Sequence, residues 1–341
     1  MTRSEPIGSL NVIQQEITDS TSLAGDFDWI LGAISWEERA TATLPILRRV
    51  GEDVTFLRFE SSATMLTRRK DAVEARIRSA LGSSAQIVKL ARSQEFSENA
   101  GVLEQLIQVR YAATKRSIRI LVDMTCLPKA YLLYLLGCGF QREYVASIDF
   151  IYCQGKYSIP EQASGRSLVS RIGLVSEGEW STLQIPYFEA RDFAAGQKDL
   201  IVSVGAEIAA ALPVIERFEP RRLKLLKIAE AIPVISDGKL SHEQRALQVL
   251  SAKANASSQS FELEDVISLS KAILEGREGS TTCLAIGSKP HALACGLASL
   301  ASNSIDVVCR IPAAYSANEV ASSGRFFRFR VEDRFEPRAY L

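Results

Sequence analysis

Hydrophobic residues in this chain fall into short branched runs separated by longer stretches of helical period. The clearest run is Ile118, Ile120, Leu121 and Val122, unalternating as in a strand covered on both faces. A polar turn follows at Asp123–Lys129. An apolar helix then starts near Ala130, with Pro128 in a first turn where its missing N–H costs nothing. Upstream, strands at Trp29–Ile34, Val54–Phe59 and Ala85–Leu90 alternate with a helix beginning at Ser35 and with helices over Arg68–Leu81 and Asn99–Lys115. Ser147–Tyr152 closes this series. The pattern restarts with strands at Leu200–Val204, Leu223–Ile228, Ser260–Leu263, Thr282–Ile286 and Ile305–Cys309. Helices at Ala206–Phe218, Gln244–Ala254, Val266–Glu275 and Ala292–Ala301 stand between them. Such alternation predicts an α/β chain of two tandem Rossmann-like units with mainly parallel, doubly wound sheets.

The unit boundaries follow from changes in pattern. Residues 1–25 read as a polar lead-in with one short strand or helix, 26–155 as the first unit and 199–341 as the second. The Gly- and Pro-bearing stretch 156–198 reads as a linker with short strands at Leu168–Ile172 and Thr182–Ile185. The halves look like copies. Ala42–Val50 aligns with Ala210–Phe218 around a shared Leu-Pro, and Ser147–Cys153 aligns with Ser304–Cys309 around a shared Ser-Ile-Asp. Both matches come in the same order on matching elements, as in a tandem repeat.

Composition narrows the classes. Hydrophobic residues make up 47% and charged residues 23%, which excludes a disordered chain. Lys+Arg and Asp+Glu both number 40, so bulk charge does not attract a polyanion. No apolar run is long enough for a membrane span, and the first twenty residues lack the apolar core of a signal peptide. The six cysteines form no C-x-x-C pair and read as reduced, buried thiols of a cytoplasmic protein. Two histidines cannot build a His-rich metal centre, and no cofactor is expected: the G-x-G-x-x-G fingerprint and the Walker A loop are both missing.

Candidate chemistry sits at the ends of strands, where open parallel sheets bind ligands. After the first strand, Ser35, Glu37, Glu38 and Arg39 can hold a ribose hydroxyl or a phosphate; equally, Ser35 and Glu38 match a capping box. In the organising turn, Thr125, Lys129 and the helix-start amides can bind an anion, while Asp123 can take a ribose hydroxyl or cap its own turn. Cys126 as a nucleophile has no histidine near it in sequence. In the second unit, Gly287 admits close backbone approach and Ser288 and Lys289 can bind an anion. His291 can donate, cap the helix or act as acid or base, and Glu207 is the acid after that unit's first strand. Arg325-Phe-Phe-Arg-Phe-Arg330 alternates as an edge strand does, with aromatic residues inward and arginines outward; direct nucleic-acid binding is not expected.

Two Rossmann-like units, each with polar turns after its first strand and after a later one, resemble the ligand-sensing CARF and SAVED domains of prokaryotic defence systems. In those families a T-K-like turn after the later strand helps bind cyclic oligonucleotides. Thr125 and Lys129, with Ser288 and Lys289, stand where that motif would stand, although Asp123–Lys129 contains no glycine. The resemblance implies a cytoplasmic, nucleotide-sensing regulatory protein with a phosphate-containing ligand and a protein partner. Two other readings stand beside it. One is an enzyme of glycosyl or phosphoribosyl transfer, with Glu37, Glu38 or Asp123 stabilising charge at the sugar. The other is a non-catalytic interaction scaffold.

Overall fold

A computed structural model describes residues 2–18, 23, 26–48, 53–61, 63–157, 176–191, 198–205, 208–228, 242–276, 279–315 and 320–334. In chain order the elements are β1 (Thr2–Ile7), β2 (Leu10–Ile17), β3 (Trp29–Ile34), α1 (Leu44–Leu47), β4 (Val54–Phe59), α2 (Thr64–Leu81), β5 (Ala85–Leu90), α3 (Phe96–Thr114), β6 (Ile118–Asp123), α4 (Lys129–Gln141) and β7 (Val145–Tyr157). Then come β8 (Ser176–Gln184), β9 (Asp199–Val204), α5 (Leu212–Phe218), β10 (Leu223–Ile228), α6 (His242–Ser251), β11 (Ala256–Phe261), α7 (Val266–Leu274), β12 (Thr281–Ala285), α8 (Lys289–Leu300), β13 (Ile305–Tyr315) and β14 (Val320–Asp333). Two compact units result, Met1–Ser158 with Ala317–Leu341, and Ile159–Ser316.

The first unit holds an eight-stranded sheet in the order β1-β2-β14-β7-β6-β3-β4-β5, and the second a six-stranded sheet in the order β11-β10-β9-β12-β13-β8. Within each lies the same five-stranded parallel core: β5-β4-β3-β6-β7 in one, β11-β10-β9-β12-β13 in the other. The shared Leu-Pro opens α1 and α5 alike, each after a short 3-10 turn (Glu38–Thr41 and Ile208–Ala211). The mainly parallel α/β architecture thus matches the alternation in the sequence. The run Ile118–Val122 became β6, with Ile120, Leu121 and Val122 fully covered, and α4 is buried from Ala130 to Gly139. A helix apolar on every side belongs in an interior, and this one lies there.

The unit boundaries differ from expectation in three places. Residues 1–25 include a β-hairpin: β1 and β2 pair antiparallel across the two-residue loop Gly8-Ser9, where Gly8 takes φ +61°, a value a type II′ hairpin needs at that position. The 156–198 segment contributes β8, which pairs antiparallel with β13; Leu168–Ile172 lies outside the described residues. Finally, the C-terminal strand belongs to the first unit, not the second. β14 lies between β2 and β7, antiparallel to both, so it is an interior strand and not an edge. Its alternation has a physical cause: Phe327, Phe329 and Val331 are buried at 1% exposure or less. The arginines of this strand are not simply solvated. Arg325 pairs with Glu16, Arg328 with the fully buried Asp149, and Arg330 with Glu332.

Both five-stranded cores are followed in the chain by an antiparallel strand, and both of those strands pair outside the core they follow. β8 follows β7 but lies against β13, and β14 follows β13 but lies against β7.

Candidate functional sites

At the carboxyl ends of β3 and β6 the sequence placed Ser35, Glu37, Arg39, Asp123 and Thr125, and the structure buries all of them. The Arg39 Nε donates to Glu37, and its Nη1 reaches the Cys153 carbonyl at 3.3 Å, with the guanidinium 6.0 Å from the Tyr152 ring centre. Gly155 makes room for this arrangement, since a Cβ there would lie 2.8 Å from Arg39 Nη1 and would run into Val320. Asp123 accepts from the Thr43 hydroxyl and, at 2.9 Å, from the Thr125 amide, which is the local turn cap. The Thr125 hydroxyl accepts from the Cys153 amide at 3.0 Å, and the Met124 amide donates to the Ile151 carbonyl at 3.0 Å. Much of the polar chemistry of these two turns therefore ties β3, β6 and β7 to one another. The capping box does not form: Glu37, not Ser35, precedes the 3-10 turn, and no side chain caps it. Glu38 is exposed, and Lys129 is half-buried as the first residue of α4. Cys126 packs against the first unit's apolar cluster.

The Glu37–Arg39 pair has side-chain exposures of 12% and 4%, so removing one partner leaves a charge in an interior that cannot solvate it. Arg39→Ala is expected to cost about 3 kcal/mol in chemical denaturation. The double variant Glu37→Gln/Arg39→Met should recover most of that loss; equal destabilisation by both would mean the guanidinium acts through packing alone.

In the second unit the carboxyl ends of β9 and β12 meet at the topological switch point. The chain leaves β9 through α5 toward β10 on one side, and leaves β12 through α8 toward β13 on the other. Here the two backbones nearly touch. A Cβ on Gly205 would come within 2.9 Å of the Gly287 Cα, and a Cβ on Gly287 would run into the Ser203 hydroxyl. Ser288 is the N-cap of α8, its Oγ accepting from the His291 amide at 3.3 Å, and Lys289 follows, half-buried. Two buried polar side chains at this end have no hydrogen-bond partner among the described residues: the Ser203 Oγ and both ring nitrogens of His291. Ser203 is fully buried and His291 is 1% exposed. Burial pushes the imidazole down to about 3, so it is neutral near pH 7 and is neither the cap nor the surface residue that its helix-start position suggested. Glu207 lies outside the described residues.

One polar residue of the first unit escaped the sequence reading. Lys70 sits on the inner stripe of α2, with Leu66, Val73 and Ile77, and is 5% exposed. Its Nζ donates to the Phe59 carbonyl and the Ser61 hydroxyl, each at 2.6 Å, near the carboxyl end of β4. Burial, with the Arg58 charge nearby, pushes it down to about 8. A lysine at i+4 from Leu66 and i−3 from Val73 breaks an otherwise apolar stripe, and that was the available signal.

Among the described residues, no group of three or more His, Cys, Asp or Glu side chains is arranged to hold a metal ion, and no helix is long and apolar enough to cross a membrane. All six cysteines are unbridged. No family model matches the chain, and no curated protein matches it. Among solved structures, the cytoplasmic domain of a prokaryotic cation chloride cotransporter aligns over 83% of this chain and 95% of its own, at 9% identity and a TM-score of 0.24. At that score the likeness carries no argument.

Proposed function

We propose that this chain is a nucleotide-sensing regulatory protein that binds a phosphate-containing ligand at the Gly287–Lys289 turn of its second unit. The observation that carries the reading is the coincidence of three features at the ends of two neighbouring strands, β9 and β12. The turn opens a twelve-residue helix whose dipole favours an anion at its N-terminus, while Pro290 has no N–H to give and Ser288 takes the His291 amide. Glycines 205 and 287 let the backbones approach closely. The Ser203 hydroxyl, and the His291 ring on the first turn of α8, are buried without partners among the described residues, a state that costs about 1–3 kcal/mol per group unless something answers it. Crevices at the switch point of a parallel sheet are the usual ligand sites of such folds. Signalling to a protein partner would then require two states with different ligand affinity. The paired units and polar strand-end turns that resemble CARF and SAVED domains support a prokaryotic defence system as the setting.

The transfer-enzyme alternative draws on Glu37, Glu38 or Asp123; Glu37 and Asp123 are engaged by side chains of their own unit, and Glu38 is exposed. The scaffold alternative, with purely structural turns, fits the first unit, where Asp123 and Thr125 hold the chain together, but not the unanswered Ser203 of the second.

The test is a melting screen against mononucleotides, NAD, phosphoribosyl pyrophosphate and cyclic di-, tri- and tetranucleotides. A ligand at about a hundred times its dissociation constant adds about 2.7 kcal/mol. The gain is expected to fall in Ser288→Ala and Lys289→Ala and to survive in Lys129→Ala. A panel without any stabilising compound, or a gain untouched by the first two variants, overturns the reading.

A further inference from the structure

A cleft of about 600 Å³ opens at the carboxyl end of β4 in the first unit, bounded by α2, and its lining includes Arg58, Ser61, Lys70 and Lys89 with the carboxylates of Glu60, Asp71 and Glu74. Its volume is in the range that small-molecule sites occupy. What sets it apart is how its charges are matched. Arg58 is answered by Asp71 and Glu74 at 2.6 Å each, and Arg78 by Glu74 at 2.9 Å. Lys70 has no such answer. Its ammonium forms no ion pair among the described residues; its two acceptors, the Phe59 carbonyl and the Ser61 hydroxyl, are neutral, and the Trp36 ring centre lies 6.0 Å from it. An ammonium has three protons to donate, so two of them are used. Ser61 accepts from Lys70 and keeps its own hydroxyl proton to give. A buried cation with a neutral shell is costly unless a counter-ion completes it. The cleft beside it provides room for one.

We propose that this cleft is a binding site for a small phosphorylated metabolite, whose phosphate takes the remaining Lys70 proton and the Ser61 hydroxyl. Lys89 stands exposed at its rim and adds a second positive charge. The site lies in the first unit, and the Gly287–Lys289 turn in the second.

The test is calorimetric titration of the full chain with inorganic phosphate, ribose 5-phosphate and AMP, repeated in Lys70→Met and in Ser61→Ala. Lys70→Met removes the charge but keeps an unbranched stem, so it is the variant expected to fold. At least one probe is expected to bind, with affinity at least tenfold lower in Lys70→Met and reduced in Ser61→Ala. Wild-type affinity should also fall between pH 7 and pH 9.5, because Lys70, held near 8, gives up the proton that a phosphate needs. Inorganic phosphate binding as tightly as the two esters would identify free phosphate as the ligand; tighter binding of an ester would identify the sugar or base as a recognised part. No binding by any probe, unchanged affinity in Lys70→Met, or affinity lost only in Ser288→Ala and Lys289→Ala would overturn the proposal.

Discussion

Ending the chain at Ser316 is expected to unfold the first unit and leave the second intact. The second unit's six strands, β8 to β13, all come from Ile159–Ser316, one continuous stretch. The first unit's sheet instead depends on β14, which is hydrogen-bonded to β2 on one side and β7 on the other. Without it the β1–β2 hairpin has no neighbour, and an isolated hairpin is marginal in water. Phe327, Phe329 and Val331, each at 1% exposure or less, would be lost from the core. At about 1.5–3 kcal/mol per buried side chain, that approaches the whole stability of an ordinary domain. Asp149, 0% exposed, would also lose Arg328. Hydrogen exchange on residues 1–316 is expected to show rapid exchange across β2 to β7 and full protection across β9 to β13. A synthetic peptide of residues 317–341 should restore protection to the first set. Native protection of β7 in the shortened chain would show that β14 is dispensable.

His291→Leu is expected to stabilise the chain in acid. The folded imidazole titrates near 3, below its ordinary 6.5, because burial disfavours the cation. The unfolded chain therefore takes up a proton at 6.5 that the folded chain refuses. Stability from this group is fully present above pH 6.5 and drains away as pH falls toward 3. Between pH 7 and pH 4 the wild type should lose about 3 kcal/mol that the leucine variant does not. At pH 7 the two should be close, or the variant the more stable, since two orphan ring nitrogens are removed with the ring. Urea melts of both proteins at several pH values give the comparison, and parallel curves would mean that the ring finds a partner on folding. If the crevice binds the proposed ligand, the same variant should gain stability while losing affinity, the exchange familiar at functional positions.

What could be read from the sequence was what local chemistry decides. Ile118–Val122 had to be a covered strand because it offers no polar face, and the two Leu-Pro helix starts marked the repeat before any sheet was known. The alternation of Phe327, Phe329 and Val331 was equally plain. Its partner was not, because strand pairing is a long-range choice: Phe329 lies opposite Phe150, and nothing near either residue names the other. The same limit hid the fate of the arginines, whose acids Glu16 and Asp149 come from β2 and β7. The β1–β2 hairpin was missed for a different reason. Thr2–Ile7 offers a single fully buried side chain, Ile7, so its pattern is polar and only the Gly8-Ser9 turn signals it. At the candidate turns the residue types were right for either of two roles. Geometry assigned Asp123 and Thr125 to holding the turn and left Ser203, which the sequence does not single out, unanswered in the second unit.

The crossed assignment of β8 and β14 also sets an order in time. A ribosome delivers the first core's five parallel strands early, but the strand that completes their sheet is made only after the six strands of the second unit. The second unit is whole before that strand exists. Domains generally mature from the N-terminus as they emerge; here the first unit waits, with the β7 edge unpaired, until the second unit has been made and β14 follows it. A chain stalled or cleaved before Val320 would carry that open edge, a surface prone to pairing with other chains.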